Sequence, residues 1–200
     1  MKIIFLDFYG VMDGDYEWQR QRKSYDPYER FDPRCGARVK RIHEETGALV
    51  VITSDSVQDC TGHWEGAPSD EQRYPDCKKL LVGCGVPEEI IIGYTYQPPD
   101  SLPVYDRTRQ IKTWLDEHPE VENYVILDDL MLPFSEEDVA ELTTDRNWPD
   151  QEKVRRYLDQ LEPYPEMLPH FVLVRPPEGQ WRQDALRDEH VERAIEILNG

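Results

Sequence analysis

Short runs of unbroken apolar residues recur along this chain, and most of them stop at a polar side chain. "KIIFL" stops at Asp7, "ALVVI" at Thr53, and "NYVIL" at Asp128 and Asp129. A strand that is apolar at every position, not every second one, is buried on both faces. Such strands belong to parallel sheets covered by helices on each side. Strand and helix signals alternate along the chain. That order predicts an α/β fold, Rossmann-like, with a mostly parallel sheet of about five strands flanked by helices.

Local chemistry sets the expected boundaries. Strands are expected over 2–8, 48–53, 88–94, 123–129 and 170–174. Asp32 and Pro33 supply an N-cap and a first-turn proline, and Gly47 a C-cap, so a helix should run from there to about Glu45. Further helices are expected over 77–84, 108–117, 150–161 and 188–198. The second of these places Ile111, Trp114 and Leu115 on one face. The stretch 54–76, with its Gly and Pro, reads as a loop. No linker is visible, so the expectation is a single domain over 1–200. Segments 13–31 and 132–169 would be loops or insertions over the strand ends, without a large cap domain.

The net charge of −18 would repel phosphate backbones and argues against a broad nucleic-acid surface. It also means that a phosphorylated substrate would need a metal or local cations. The apolar runs fall far short of the ~20 residues that span a bilayer, and no leader pattern is read, so a cytoplasmic location is expected. Cys60 and His63 have a metal-like spacing that Cys77 and Cys84 could complete, but the set does not meet the spacings seen in zinc modules. Free thiols in a reducing compartment are the expectation.

In an open parallel sheet, ligands sit beyond the carboxyl ends of the strands. If the strands ending at Asp7, Thr53 and Asp128 are neighbours, their tips converge. Asp7 there can act as a nucleophile and form an acyl phosphate. Thr53 can hydrogen-bond a phosphoryl oxygen. Asp7, Asp128 and Asp129 make a hard oxygen site suited to magnesium. Arg107, opening a helix, can supply the cation that the phosphoryl group needs. Taken singly, each has an ordinary structural role as turn former, strand residue or solvated charge. Their joint order favours the chemical reading.

That order resembles the signature of the haloacid-dehalogenase-like (HAD) superfamily. "IIFLDFYGV" is similar to its first motif, "VVIT" to its second, "RTRQI" to its third and "VILDD" to its fourth. Within the superfamily, "FLDFYGVM", "VVITSDSV", "RTRQIKTWL" and "LDD" most resemble the HAD domain of "Swiss army knife" RNA-repair proteins. The resemblance implies a magnesium-dependent phosphatase or phosphotransferase with an aspartyl-phosphate intermediate. Asp7 would be the nucleophile, and the backbone carbonyl of Tyr9 would join Asp7, Asp128 and Asp129 around the metal. Thr53 would hold the phosphoryl group and Arg107 would stabilise its charge, with Gly10 and Ser54 on the substrate side. The partner would be a phosphorylated small molecule or a nucleic-acid end.

Tyr9 is the departure. Phosphatases of the superfamily carry there a second Asp, acting as general acid and then base, and such help is typically worth about 10²–10⁴-fold. A phenol can give a proton but is a poor base at neutral pH. Three readings stay open: a working phosphatase, a weak or inactive HAD-fold binding protein, and a 2-haloacid dehalogenase. The last carries Asp-x-Tyr-Gly, as "DFYG" does, but needs neither the acidic pair nor a metal. It also needs a large helical cap, for which the span from Asp7 to Thr53 leaves little room.

Two smaller features complete the reading. Tyr16, Trp18, Tyr25 and Tyr28 could stack on a base or sugar, or form a satellite core. Arg20, Arg22 and Lys23 form the one strongly basic cluster, while Asp13 and Asp15 read as solvated turn acids.

Overall fold

The computed structural model describes residues 1–12, 31–53, 70–95, 107–130, 132, 134–135, 137, 163–175 and 185–200, with the backbone alone over 70–76. Five strands are seen: β1 (Lys2–Leu6), β2 (Leu49–Ile52), β3 (Ile91–Tyr94), β4 (Asn123–Asp128) and β5 (Phe171–Leu173). The helices are α1 (Pro33–Thr46), α2 (Asp70–Gly83), α3 (Arg107–Glu117) and α4 (Asp188–Asn199). All strand pairs are parallel, and the order across the sheet is β3-β2-β1-β4-β5. This is the α/β arrangement that the apolar runs predict.

Alternate residues of each central strand feed opposite faces, as strand geometry requires. Ile4 and Leu6 of β1, Val50 and Ile52 of β2, and Val125 and Leu127 of β4 join one core with α1, α2 and α4. Ile3, Phe5, Val51 and Ile126 join the other, against Ile111 and Trp114 of α3. Trp114 meets Phe5 edge-on at 5.4 Å. Leu115 packs at the margin of the same core. The chain builds outward from β1 to β3, then α3 carries it back over the opposite face to β4. A parallel crossover keeps one hand, so reversing direction changes faces. The switch in strand order therefore falls between β1 and β4.

The ends of α1 are as the sequence specifies. The Asp32 carboxylate accepts from the Arg34 N–H at 2.8 Å, and Pro33 takes the first turn. Gly47 closes the helix with φ 73°, its N–H donating to the His43 carbonyl. Gly36 lets α1 touch the turn after α2: a Cβ there would stand 1.9 Å from the Cys84 carbonyl oxygen. Cys35, Cys77 and Cys84 are buried, and burial pushes the Cys35 and Cys84 thiols up to about 12.

Several expected boundaries move. β1 ends at Leu6, because Phe8 turns away to pack edge-on against Phe31 at 5.2 Å and its carbonyl accepts from Met12 N–H at 2.8 Å. α2 begins at Asp70, inside the stretch read as loop, and runs through Pro75. The proline was the breaker signal, yet a proline removes a single N–H, and the buried Cys77 and Leu81 farther along hold the helix to the core. Residues 88–90 form a 3₁₀ turn after Pro87, so β3 starts later than expected, at Ile91. His170 belongs to a second 3₁₀ turn (Pro165–His170). Its ring stacks on Tyr124 at 4.1 Å instead of opening β5. The expected helix over 150–161 lies outside the described residues. Among the described residues no helix is long and apolar enough to cross a membrane.

Candidate active site

Three polar residues stand one step beyond their strands, each tied by its backbone to the neighbouring strand. Asp7 N–H donates to Leu127 of β4 at 3.0 Å, Thr53 N–H to Leu6 of β1 at 3.0 Å, and Thr95 N–H to Ile52 of β2 at 2.9 Å. The parallel ladder thus continues one residue past each strand and holds the backbones of Asp7, Thr53 and Thr95 in line with it. Asp128 is the last residue of β4, and its carbonyl accepts from Val174 N–H at 2.8 Å. Asp7, Thr53, Thr95 and Asp128 are all buried.

Arg107, the first residue of α3, reaches across this edge. Its Nη1 donates to Asp128 Oδ2 and lies 3.4 Å from Asp7 Oδ2. The other Asp128 oxygen accepts from Leu130 N–H at 2.9 Å, a side-chain turn that holds the carboxylate's orientation. Burying a guanidinium or a carboxylate alone is costly, so each is tolerated because the other is present.

Asp129 completes the group. One carboxylate oxygen from each of Asp7, Asp128 and Asp129 lies within 4.8 Å of the others. Three carboxylates against the Arg107 guanidinium leave an excess of two negative charges in a largely dry site. That donor set, hard oxygens only, fits a small divalent cation such as magnesium. Gly10 makes the approach possible. Its φ is +75°, and a Cβ there would stand 2.3 Å from Asp129 Cγ. The loop after β1 is therefore pressed onto the Asp129 side chain. Arg175, beyond β5, fastens the same residue from the other side, its Nε donating to the Asp129 carbonyl at 2.7 Å.

The residues picked out from the sequence thus fall as follows. Asp7, Arg107, Asp128 and Asp129 come together, with Gly10 against Asp129. Thr53 ends the adjacent strand. Tyr9 lies in the loop between Asp7 and Gly10 and is 37 % exposed. Ser54, Cys60, His63, the aromatic and basic residues of 13–30, and most of 132–162 lie outside the described residues. Thr95 and Gln110 were missed. Thr95 follows the apolar run "IIIGY" and satisfies the same strand-end rule as Thr53. Gln110 stands three residues after Arg107, on the same helical face, and is a buried polar residue there.

The chain matches, over residues 3–158, the family model described as the HAD domain in Swiss Army Knife RNA repair proteins. It belongs to that family. No curated protein and no solved structure matches it. The match places the chain among HAD-like hydrolases in general, and magnesium is the metal that HAD domains generally use. Within this HAD domain the four motifs fall at the tip of β1, the tip of β2, the start of α3 and the tip of β4, around the switch in strand order.

Proposed function

We propose that this HAD domain is a magnesium-dependent phosphohydrolase or phosphotransferase acting on a terminal phosphate monoester. The observation that carries the reading is the meeting of Asp7, Asp128 and Asp129 within 4.8 Å beside Arg107. An Asp7 oxygen attacks phosphorus, the bond from phosphorus to the leaving oxygen breaks, and that oxygen takes up a proton. Water then attacks the aspartyl phosphate, releasing inorganic phosphate and restoring the carboxylate. Thr53 and Arg107 hold the phosphoryl oxygens. Asp7, Asp128, Asp129 and the Tyr9 carbonyl would hold the magnesium, which supplies charge neutralisation for carboxylates and phosphate together.

A phosphorylated nucleic-acid end is the substrate form that the RNA-repair family favours; a phosphorylated small molecule offers the same reacting group. The net charge of −18 supports recognition of an end over that of a long backbone. Tyr9 supports a second reading of the same site. With a phenol where a carboxylate would serve as acid and base, the leaving oxygen and the attacking water lose their proton relay. Turnover would then be slow, or the domain would bind its phosphate without hydrolysing it. The acidic cluster speaks against a dehalogenase, whose chemistry has no use for it.

The test is release of inorganic phosphate from a phosphorylated oligoribonucleotide and from an aryl phosphate with magnesium, comparing the native chain with Asp7→Asn. Loss of release in the variant supports nucleophilic attack by Asp7; equal release from both removes the proposal. Chloride released from a 2-chloro acid without metal would establish the dehalogenase instead.

A further inference from the structure

Beside Thr53 lies a chain of polar side chains that the proposed reaction does not use. The Thr95 hydroxyl is 3.2 Å from the Thr53 hydroxyl and 3.3 Å from the Gln110 amide oxygen. All three residues are buried, and among the described residues Gln110 Nε2 has no hydrogen-bond partner. Thr95 has one hydroxyl hydrogen and so cannot donate to both neighbours. If it donates to Gln110, its oxygen takes the Thr53 hydrogen, and Thr53 has none left for a ligand.

The conflict ends if the amide turns over. Its oxygen and nitrogen are nearly the same size, so the turn displaces little. Nε2 then donates to Thr95, Thr95 donates to Thr53, and the Thr53 hydrogen is left for another acceptor. The turn satisfies one of the two N–H groups of Nε2 and leaves the carbonyl unmet in its place, the less costly of the two.

We propose that Gln110 is a positioning residue: acting through Thr95, it directs the Thr53 hydroxyl hydrogen toward a phosphoryl oxygen. The proposal rests on the phosphate reading above and deepens it. The end of such a donor chain favours an ionised oxygen, and each link polarises the next.

The test is the affinity for inorganic phosphate with magnesium, measured by calorimetry. Thr53→Val should weaken binding about tenfold, the effect of one hydrogen bond to a charged group, and Gln110→Met by a smaller factor, since Thr53 keeps its hydroxyl but loses its fixed orientation. The double variant should be no weaker than Thr53→Val alone, because Gln110 acts only through the hydroxyl that Thr53→Val already removes. Thr95→Val should match Gln110→Met, whereas Thr95→Ser, which keeps the hydroxyl, should bind like the native chain. These two also serve if Gln110→Met does not fold. Native-like binding by Gln110→Met or Thr95→Val, multiplication of the two losses in the double variant, or absence of phosphate binding by the native chain would each overturn the proposal. Failure of the aspartyl-phosphate reading is distinguished by its own sign, phosphate release that survives Asp7→Asn.

Discussion

Arg107 and Asp128 form an ion pair that solvent does not reach, the arginine side chain being 2 % and the aspartate 0 % exposed. The same guanidinium nitrogen stands 3.4 Å from Asp7. One cation therefore answers two buried carboxylates contributed by different strands. It ties the first turn of α3 to the tips of β1 and β4, so the group that would stabilise a phosphoryl charge also holds the site together.

Removing that cation should be expensive. Arg107→Met leaves Asp7 and Asp128 buried without their shared partner, and a loss of about 3–5 kcal/mol is expected. Magnesium should restore part of it by taking over the charge, so the variant should gain more thermal stability from added magnesium than the native chain does. Thermal unfolding with and without the metal measures both. A variant as stable as the native chain would contradict the role given to Arg107.

Gly10→Ala tests the seat of Asp129. The left-handed backbone alone costs a side chain about 1–2 kcal/mol. The added carbon would also meet Asp129 Cγ at 2.3 Å and push the carboxylate aside. Magnesium affinity, read by calorimetry on the folded variant, should fall along with stability. Unchanged affinity would separate Asp129 from the metal.

Tyr9→Asp places a carboxylate where the proposed reaction would use an acid and base. Phosphate release should rise about 10²–10⁴-fold if proton transfer limits the native chain. A native chain with no detectable release, rescued by this change, would make the natural protein a binding module. No gain at all would show that Tyr9 is not what limits the rate.

His190 should make stability depend on pH. Burial, then the charge of Arg187, pushes its imidazole down from 6.5 to about 4. Its Nδ1 accepts from the Arg187 N–H at 3.1 Å at the start of α4, a bond that needs this nitrogen unprotonated. The unfolded chain binds the proton more readily than the folded one. The neutral ring's contribution is therefore complete above pH ~6.5 and is lost as pH falls toward about 4. With partial screening taken into account, the loss is about 1–2 kcal/mol. Urea titrations across this range should show the decline, and His190→Gln should flatten it.

Much of this was legible in the residue order. Unbroken apolar runs give buried parallel strands, Asp32, Pro33 and Gly47 give α1 its ends, and a polar residue after each run gives a strand tip. Thr95 was legible by the same rule and overlooked, because "IIIGY" ends in a glycine and an aromatic. Pro75 misled, since local propensity yields to burial of the residues farther along the helix. The partnership of Gln110 with Thr95 could not be read, because it joins α3 to β3 through hydrogen bonds that leave no periodic trace.

The sequence by itself determined the elements, the α/β class and the identity of the acids, since these follow from apolar period, capping chemistry and motif order. Tertiary structure alone decided that Asp7 and Asp128 share Arg107, that Gly10 bears on Asp129, and that Thr53 ends a chain of hydroxyls. Those relations depend on which strands lie side by side and where α3 crosses back. Strand order is settled by packing two cores against one twisted sheet, and no local stretch of residues encodes it.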